Sequence, residues 1–397
     1  MRKYKFCFFG EVAGALVGRT SGGAQVQIAL LAKALALKGH DVVVIDPFSN
    51  GEDFVTPEGV RLLTVPGWNN GLPGLRMFTN RLPALYKLFR AQKADFYYVR
   101  TRAYVHLANY LAARKTGGKL IVAVASDIDV QRYSQQYRNE YKGSLSLANY
   151  LGVNLPNDIA TKFLQRNADI VLLQHAGQNS NLESARGKVA VFPNIIDKTK
   201  VPTASQPAKD YFVHVGSLSM LKGADNLHRL VNLVNDSLPI VVVGQANDSK
   251  SEIILQKLRE KKNVILRGRL SHTETLEVIA NAKALINTSN FEGFPNIFLE
   301  AWASGVPVIS LNVNPGNVFN RYPLGVYCDG DFTKMKAAME TNTVDEMDKE
   351  QVRSYIDQYH DFSTAADRLL TLLTAPAAMP TDKKTRSVAG SFENQLL

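Results

Sequence analysis

The stretch Thr288–Ile309, TSNFEGFPNIFLEAWASGVPVI, constrains this chain more than any other. Ala284-Leu285-Ile286 closes an apolar strand, Gly293 and Pro295 break it, and Asn296–Ala303 resumes with helical spacing. Pro295 suits the first helical position, where a missing N–H costs nothing. Gly305 stops the helix, and Val306-Pro307-Val308-Ile309 opens the next strand. Such a loop presents backbone N–H groups at a helix N-terminus, where the helix dipole also favours anions. Two carboxylates bracket it: Glu292 in the loop and Glu300 inside the helix. A carboxylate pair beside an anion site suits a ligand carrying both phosphate and sugar hydroxyls.

The spacing of Glu292 and Glu300, in the frame E-G-F-P-N-x-x-L-E-A-x-A-x-G-x-P-V-I, resembles the signature of the retaining GT-B glycosyltransferases of family 4. That resemblance implies an α/β fold of two Rossmann-like domains facing a central cleft. It implies a nucleoside-diphosphate sugar held in the second half, and transfer of a hexose to an acceptor hydroxyl with retention. Glu292 would then bond the donor sugar, Glu300 the ribose hydroxyls, and Gly293, Phe294, Pro295 and Asn296 would border the diphosphate.

Length agrees with two domains, since 397 residues exceed one typical core. Apolar content of 45% and charged content of 21% describe an ordinary globular protein. Cys7 and Cys328 stand alone, without Cys-x-x-Cys or a Cys/His cluster, which points away from a zinc site or disulfide framework and fits a reducing cytosol. The apolar run Phe6–Phe9 ends at Gly10-Glu11, too short for a signal peptide, and no run approaches a membrane span. Residues 1–197 hold 24 Lys/Arg against 14 Asp/Glu, whereas 198–397 balance at 22 each. A one-sided basic surface favours an anionic partner, such as a membrane face or a lipid-phosphate acceptor, or else serves solubility. Nothing shows the aromatic interleaving that nucleic-acid binding requires.

The first half opens as strand, Gly-rich loop, helix and strand: Lys5–Gly10, Ser21-Gly22-Gly23, Ala24–Gly39 and His40–Asp46. This start marks a doubly wound domain, although the loop lacks both the full G-x-G-x-x-G and a P-loop lysine. It resembles the opening of family 4 enzymes, which carries Gly22 and Gly23 over as neighbours of the donor phosphate. Residues 72–93 read as a basic amphipathic helix, with Leu82, Leu85, Leu88 and Phe89 on one face and Arg81, Lys87, Arg90 and Lys93 nearby. Such a helix can lie on anionic lipid or pack on the sheet with its charges in water. Arg100 ends the strand Asp95–Arg100, and Ser126 and Asp127 follow the strand Leu120–Ala125, at the edge where α/β sheets place ligands. Arg100, Ser126 and Asp127 are therefore expected at the acceptor, with Asp127 also a candidate for proton transfer. Asp127-x-Asp129 has the spacing of a GT-A metal pair, but the rest of the chain argues for the other fold, and no metal is assigned. Many family members carry a histidine near Asp127, which this chain lacks. Tyr133, Tyr137, Tyr141 and Tyr150 enrich the region that follows, expected to cover the acceptor side. His40, His175 and His214 are singletons, which structural roles usually satisfy.

Val191-Phe192-Pro193-Asn194-Ile195-Ile196-Asp197 resembles the family's interdomain hinge. The expected division is 1–197 for the acceptor, 198–345 for the nucleotide sugar, 346–374 as helices packing back on the first domain, and a disordered tail at 375–397. After the strand Asp210–Gly216, Ser217-Leu218-Ser219-Met220-Leu221-Lys222-Gly223 matches the family's G-R-x-x-x-x-K-G at Gly216, Lys222 and Gly223. Lys222 is expected on the diphosphate. Ser217 replaces the usual arginine and removes a bidentate phosphate contact, with Arg267 or Arg269 as compensation. Arg269 and Leu270 are expected near the base. The catalytic set is thus Glu292, Asp127 and Lys222, with no cofactor beyond a UDP- or GDP-sugar donor. The setting this implies is polysaccharide or lipid-linked glycan assembly in the cytoplasm, at the inner membrane face. The alternatives are a nucleotide-sugar 2-epimerase and a non-catalytic nucleotide-sugar-binding subunit.

Overall fold

Strands whose residues are apolar on both faces need helices on both faces, and two such sheets account for the fold. A computed structural model describes residues 2–19, 22–49, 51–72, 75–130, 150–182, 185–203 and 210–375. Tyr133, Tyr137, Tyr141 and nearly all of the tail lie outside them. The chain divides into two compact units, the first from 1–17, 24–193 and 364–397, the second from 18–23 and 194–363.

The first unit has strands β1 (Lys5–Phe9), β2 (Asp41–Asp46), β3 (Phe54–Val55), β4 (Arg61–Thr64), β5 (Phe96–Val99), β6 (Lys119–Ala123), β7 (Ile170–Leu173) and β8 (Lys188–Val191). Their order is β3-β4-β2-β1-β5-β6-β7-β8, parallel except for the short β3–β4 pair. Helices α1 (Gly23–Leu37), α2 (Leu82–Gln92), α3 (Leu107–Thr116) and α4 (Leu155–Asn167) follow β1, β4, β5 and β6. Leu85 and Phe89 of α2 are buried in the core with Leu82 and Leu88 packed against it, so its apolar face covers the sheet. Leu72, Leu75 and Phe78, just before it, remain exposed.

The second unit has β9 (Phe212–Val215), β10 (Ile240–Val243), β11 (Val264–Gly268), β12 (Ala284–Asn287), β13 (Val308–Ser310) and β14 (Gly325–Tyr327), in the order β11-β10-β9-β12-β13-β14 and parallel throughout. The order reverses between β9 and β12, which opens a crevice at their C-terminal ends. Helices α5 (Ala224–Leu233), α6 (Ser249–Arg259), α7 (His272–Ala280), α8 (Asn296–Ala303), α9 (Phe332–Glu340) and α10 (Lys349–Tyr359) surround it. Alternate strand residues serve opposite faces. Val213, Val241 and Leu285 pack with Phe298, Leu299 and Trp302 of α8, while Phe212, Val242 and Ile286 pack with Leu227 and Leu230 of α5. Helix α10 stays with the second unit, whereas α11 (Phe362–Thr374) belongs to the first from Thr364 onward. Lys38 Nζ reaches Asp367 at 2.6 Å there, and Lys188 Nζ donates to Leu372 O at 2.8 Å.

Candidate functional site

Two loops meet at the β9–β12 crevice, and glycine permits both. Gly223 caps α5 in the left-handed region at φ 68°, and a Cβ there would stand 1.8 Å from Thr288 O. A Cβ on Gly244 would stand 1.9 Å from Gly216 O, so β10 can close on the end of β9 only with glycine. Side chains then staple the loops together. Thr288 Oγ1 donates to Gly223 O at 3.0 Å, and Asn226 Nδ2 donates to Thr288 O and Asn290 Oδ1, each at 3.0 Å. Asn290 Nδ2 returns to Met220 O at 2.9 Å. The result is a hydrogen-bonded ion pair between Lys222 Nζ and Glu292 Oε1, to which Ser289 Oγ also donates at 3.1 Å. The Lys222 side chain is 37% exposed and that of Glu292 16%.

Helix α8 begins at Asn296. Pro295 is not its first residue but its N-cap, at φ −64° and ψ 127°, because its extended ψ turns the chain into the helix while its carbonyl accepts from Phe298 N at 3.1 Å. No side chain caps this end. The loop is held by Asn194, whose Nδ2 donates to Phe294 O at 2.8 Å and Asn296 Oδ1 at 3.0 Å. Buried Phe298, Leu299 and Trp302 anchor the helix, and Trp302 Nε1 donates to Leu324 O at 2.9 Å. Glu300 lies on the second turn, where burial pushes its carboxyl up to about 8, and His272 Nδ1 is 4.0 Å away. Burial, and then Lys200, hold His272 below its ordinary value. His214 lies buried on β9, lowered to about 4 by burial and then by Lys222, so it is neutral and adds no charge. Ser217 follows Gly216 at the end of β9 and makes no side-chain hydrogen bond among the described residues. Arg269 is exposed just beyond β11, and Leu270 packs against the cluster containing Phe294. Gly216, Ser217, Lys222, Glu292, Gly293–Asn296 and Glu300 thus share one edge of one sheet. Gly22 and Gly23 precede and begin α1, and their contacts group them with the second unit.

In the first unit, Asp127 stands beyond β6 and accepts on Oδ1 from His175 Nε2 at 3.0 Å and Gln178 Nε2 at 2.7 Å. His175 is therefore no isolated singleton. It follows β7 by two residues, and β7 is the parallel neighbour of β6, which brings both C-terminal ends to one edge. That adjacency was the signal available for it. Asp129 closes the turn instead, accepting the amides of Ala125 at 2.9 Å and Ser126 at 3.0 Å. Ser126 Oγ accepts from Ile128 N at 3.4 Å. Arg100 departs from the expected placement at an acceptor: it is 5% exposed, with Nη1 3.4 Å from the Tyr98 hydroxyl. It directly follows β5, at the expected edge, but its side chain is buried in the fold. Among the described residues, no three of His, Cys, Asp and Glu gather as a metal site would, and no helix is long and apolar enough to cross a membrane.

With this geometry, the likeness to known proteins falls into place. Residues 21–200 match the model of Glycosyltransferase Family 4, and 196–319 that of Glycosyl transferases group 1. An uncharacterized glycosyltransferase of Methanocaldococcus jannaschii is 25% identical over 177 residues, 40% of this chain and 43% of that relative. The chain thus spans under half of that protein. Glycogen synthase of Mycobacterium tuberculosis is 26% identical over 324 residues, 74% of this chain and 75% of the enzyme. Among solved structures, Anabaena HepE in complex with UDP and glucose superposes with a TM-score of 0.68 at 15% identity, covering 93% of this chain and 99% of that one. Two parallel α/β units with reversing strand order form the GT-B fold, and two adjoining glycosyltransferase family models match this chain across residues 21–319.

Proposed function

We propose that the chain transfers a hexose from a UDP- or GDP-sugar to an acceptor hydroxyl with retention of configuration, in polysaccharide or lipid-linked glycan assembly. The observation that carries this reading is the Lys222–Glu292 pair over the β9–β12 crevice. A diphosphate arriving there competes with Glu292 for the lysine. It carries more charge than one carboxylate, so it takes Nζ and frees Glu292 to accept hydroxyls of the donor sugar. The amide end of α8 adds positive potential as charge develops on the leaving group. These two features supply the positive charge, so the reading requires no metal. Glu300, on the same edge, receives the ribose hydroxyls. Asp127, in the other unit, is assigned to the acceptor.

The cytoplasmic face of a membrane is the proposed setting. Support comes from residues 59–94, which hold six Arg/Lys and no Asp or Glu, and from the exposed Leu72, Leu75 and Phe78. A second reading, donor binding without transfer, is favoured by Ser217 at a position where the family pattern has arginine.

The test has two steps. Thermal unfolding against UDP, GDP and their sugars identifies the base, since a true ligand at a hundredfold its Kd stabilises by about 2.7 kcal/mol. Incubation with the sugar nucleotide that stabilises, and with candidate glycan acceptors, then reports transfer. Stabilisation with neither transfer nor donor hydrolysis supports the binding-only reading, and stabilisation by none of these compounds overturns both.

A further inference from the structure

We propose that His175 and Gln178 are positioning residues that hold the Asp127 carboxylate for a hydroxyl of a neutral sugar acceptor. This rests on the glycosyltransferase reading above and assigns to its acceptor side a chemistry and two further residues.

The hydrogen-bond directions follow from the partners. Gln178 Oε1 accepts from Gln174 N at 2.8 Å, so the other end of its amide, Nε2, faces Asp127 Oδ1. An ionised carboxylate only accepts, so His175 Nε2 carries the proton it shares with Asp127. Two donors on one oxygen fix the carboxylate plane. The other oxygen, Oδ2, has no hydrogen-bond partner among the described residues, and the side chain is 37% exposed, whereas His175 is only 12% exposed. Gln178 is buried and His175 mostly covered, while the carboxylate they hold is more open. A purely structural cluster would bury the carboxylate as well, as happens to Asp129 two residues on.

The nearby charges narrow the ligand. Arg100 is buried, and Arg102 is engaged by Asp158 and lies 3.9 Å from Asp129. Lys162 Nζ is turned to Val130 O at 3.4 Å. Among the described residues, the exposed charged group at this edge is therefore the Asp127 carboxylate. It accepts a sugar O–H and repels a phosphate or carboxylate, so this edge suits a neutral hydroxyl-rich acceptor rather than an anionic one.

The test uses the full chain with Asp127→Asn, His175→Ala, His175→Gln and Gln178→Leu. Donors are UDP-glucose and GDP-mannose. Acceptors are methyl α-glucoside, methyl α-mannoside and their 6-phosphates. Stabilisation by UDP or GDP is recorded for each variant as the control for folding and donor binding. Wild type is expected to transfer to a neutral acceptor. His175→Ala, Gln178→Leu and Asp127→Asn should raise the acceptor KM by about tenfold to a hundredfold, the worth of a hydrogen bond to a charged group, with nucleotide stabilisation unchanged. His175→Gln, which restores an N–H donor, should recover wild-type KM to within about threefold. The proposal is overturned if only the phosphorylated acceptors react, if none of the four reacts while nucleotide stabilises the protein, or if His175→Ala keeps wild-type KM. If no nucleotide stabilises the wild type, the glycosyltransferase reading itself fails, and this inference with it.

Discussion

Replacing Glu292 by glutamine should tighten binding of the bare nucleotide while stopping turnover. Glutamine keeps the shape and the hydrogen bond from Ser289 Oγ, and removes only the charge that holds Lys222. In the unliganded protein that ion pair must be broken before a diphosphate can use the lysine. With Lys222 more than a third exposed, the pair is worth about 0.2–1 kcal/mol. Losing it, together with a like charge beside the phosphates, should tighten UDP or GDP binding by about twofold to fivefold. Turnover depends on the same carboxylate accepting donor-sugar hydroxyls, and should fall by about a hundredfold or more. Calorimetric titration of the nucleoside diphosphate and a transfer assay on one preparation measure both quantities. The affinity gain should shrink as salt rises, because both charges are partly in water. Lys222→Met is the counterpart, expected to weaken nucleotide binding by about tenfold or more. Threefold weaker nucleotide binding by Glu292→Gln, or more than a tenth of wild-type turnover, would refute the exchange of partners at Lys222.

Three further outcomes follow from the geometry. Glu300, raised to about 8 by burial, keeps a proton in the fold that the unfolded chain has lost above its ordinary carboxylate range. Folding stability should therefore fall as pH rises from about 4.5 to 8, and Glu300→Gln should flatten that slope in urea titrations. If the ribose is held by the ionised carboxylate, nucleotide binding at pH 7 should release a proton, seen as buffer-dependent enthalpy that Glu300→Gln abolishes; no buffer dependence in wild type counts against that role. Gly223→Ala forces a Cβ into Thr288 O at a left-handed φ and should cost about 2 kcal/mol or more in urea unfolding, with loss of nucleotide stabilisation. Leu75→Glu with Phe78→Glu changes two exposed side chains, so the unfolding midpoint should hold while sedimentation with phosphatidylglycerol vesicles drops severalfold. Equal sedimentation of both proteins would remove that surface from the membrane reading.

How much of this could be read beforehand depended on the range of the physics involved. The loop and helix at Gly293–Ala303 were legible because glycine, proline and apolar spacing act within a few residues. The parallel order of both sheets was legible for the same reason, since alternating strands and helices leave few ways to cover both faces. The short strands β3 and β4, the outermost two at one side of the first sheet, escaped, being two and four residues long and without a clear apolar period. Strand-end position told which edge Arg100 belongs to, but not where a long side chain goes from there, and it went inward. The pairing of Asp127 with His175 spans 48 residues and is created by β6 lying beside β7, so no local pattern contains it. The same holds for Lys222 and Glu292, 70 residues apart, whose separate roles came from the family resemblance and whose contact did not. In a doubly wound fold, sequence marks the residues that reach the ligand edge, while strand adjacency decides which of them become partners. Charged and titratable residues just past neighbouring parallel strands should therefore be considered as pairs before any is set aside as a singleton.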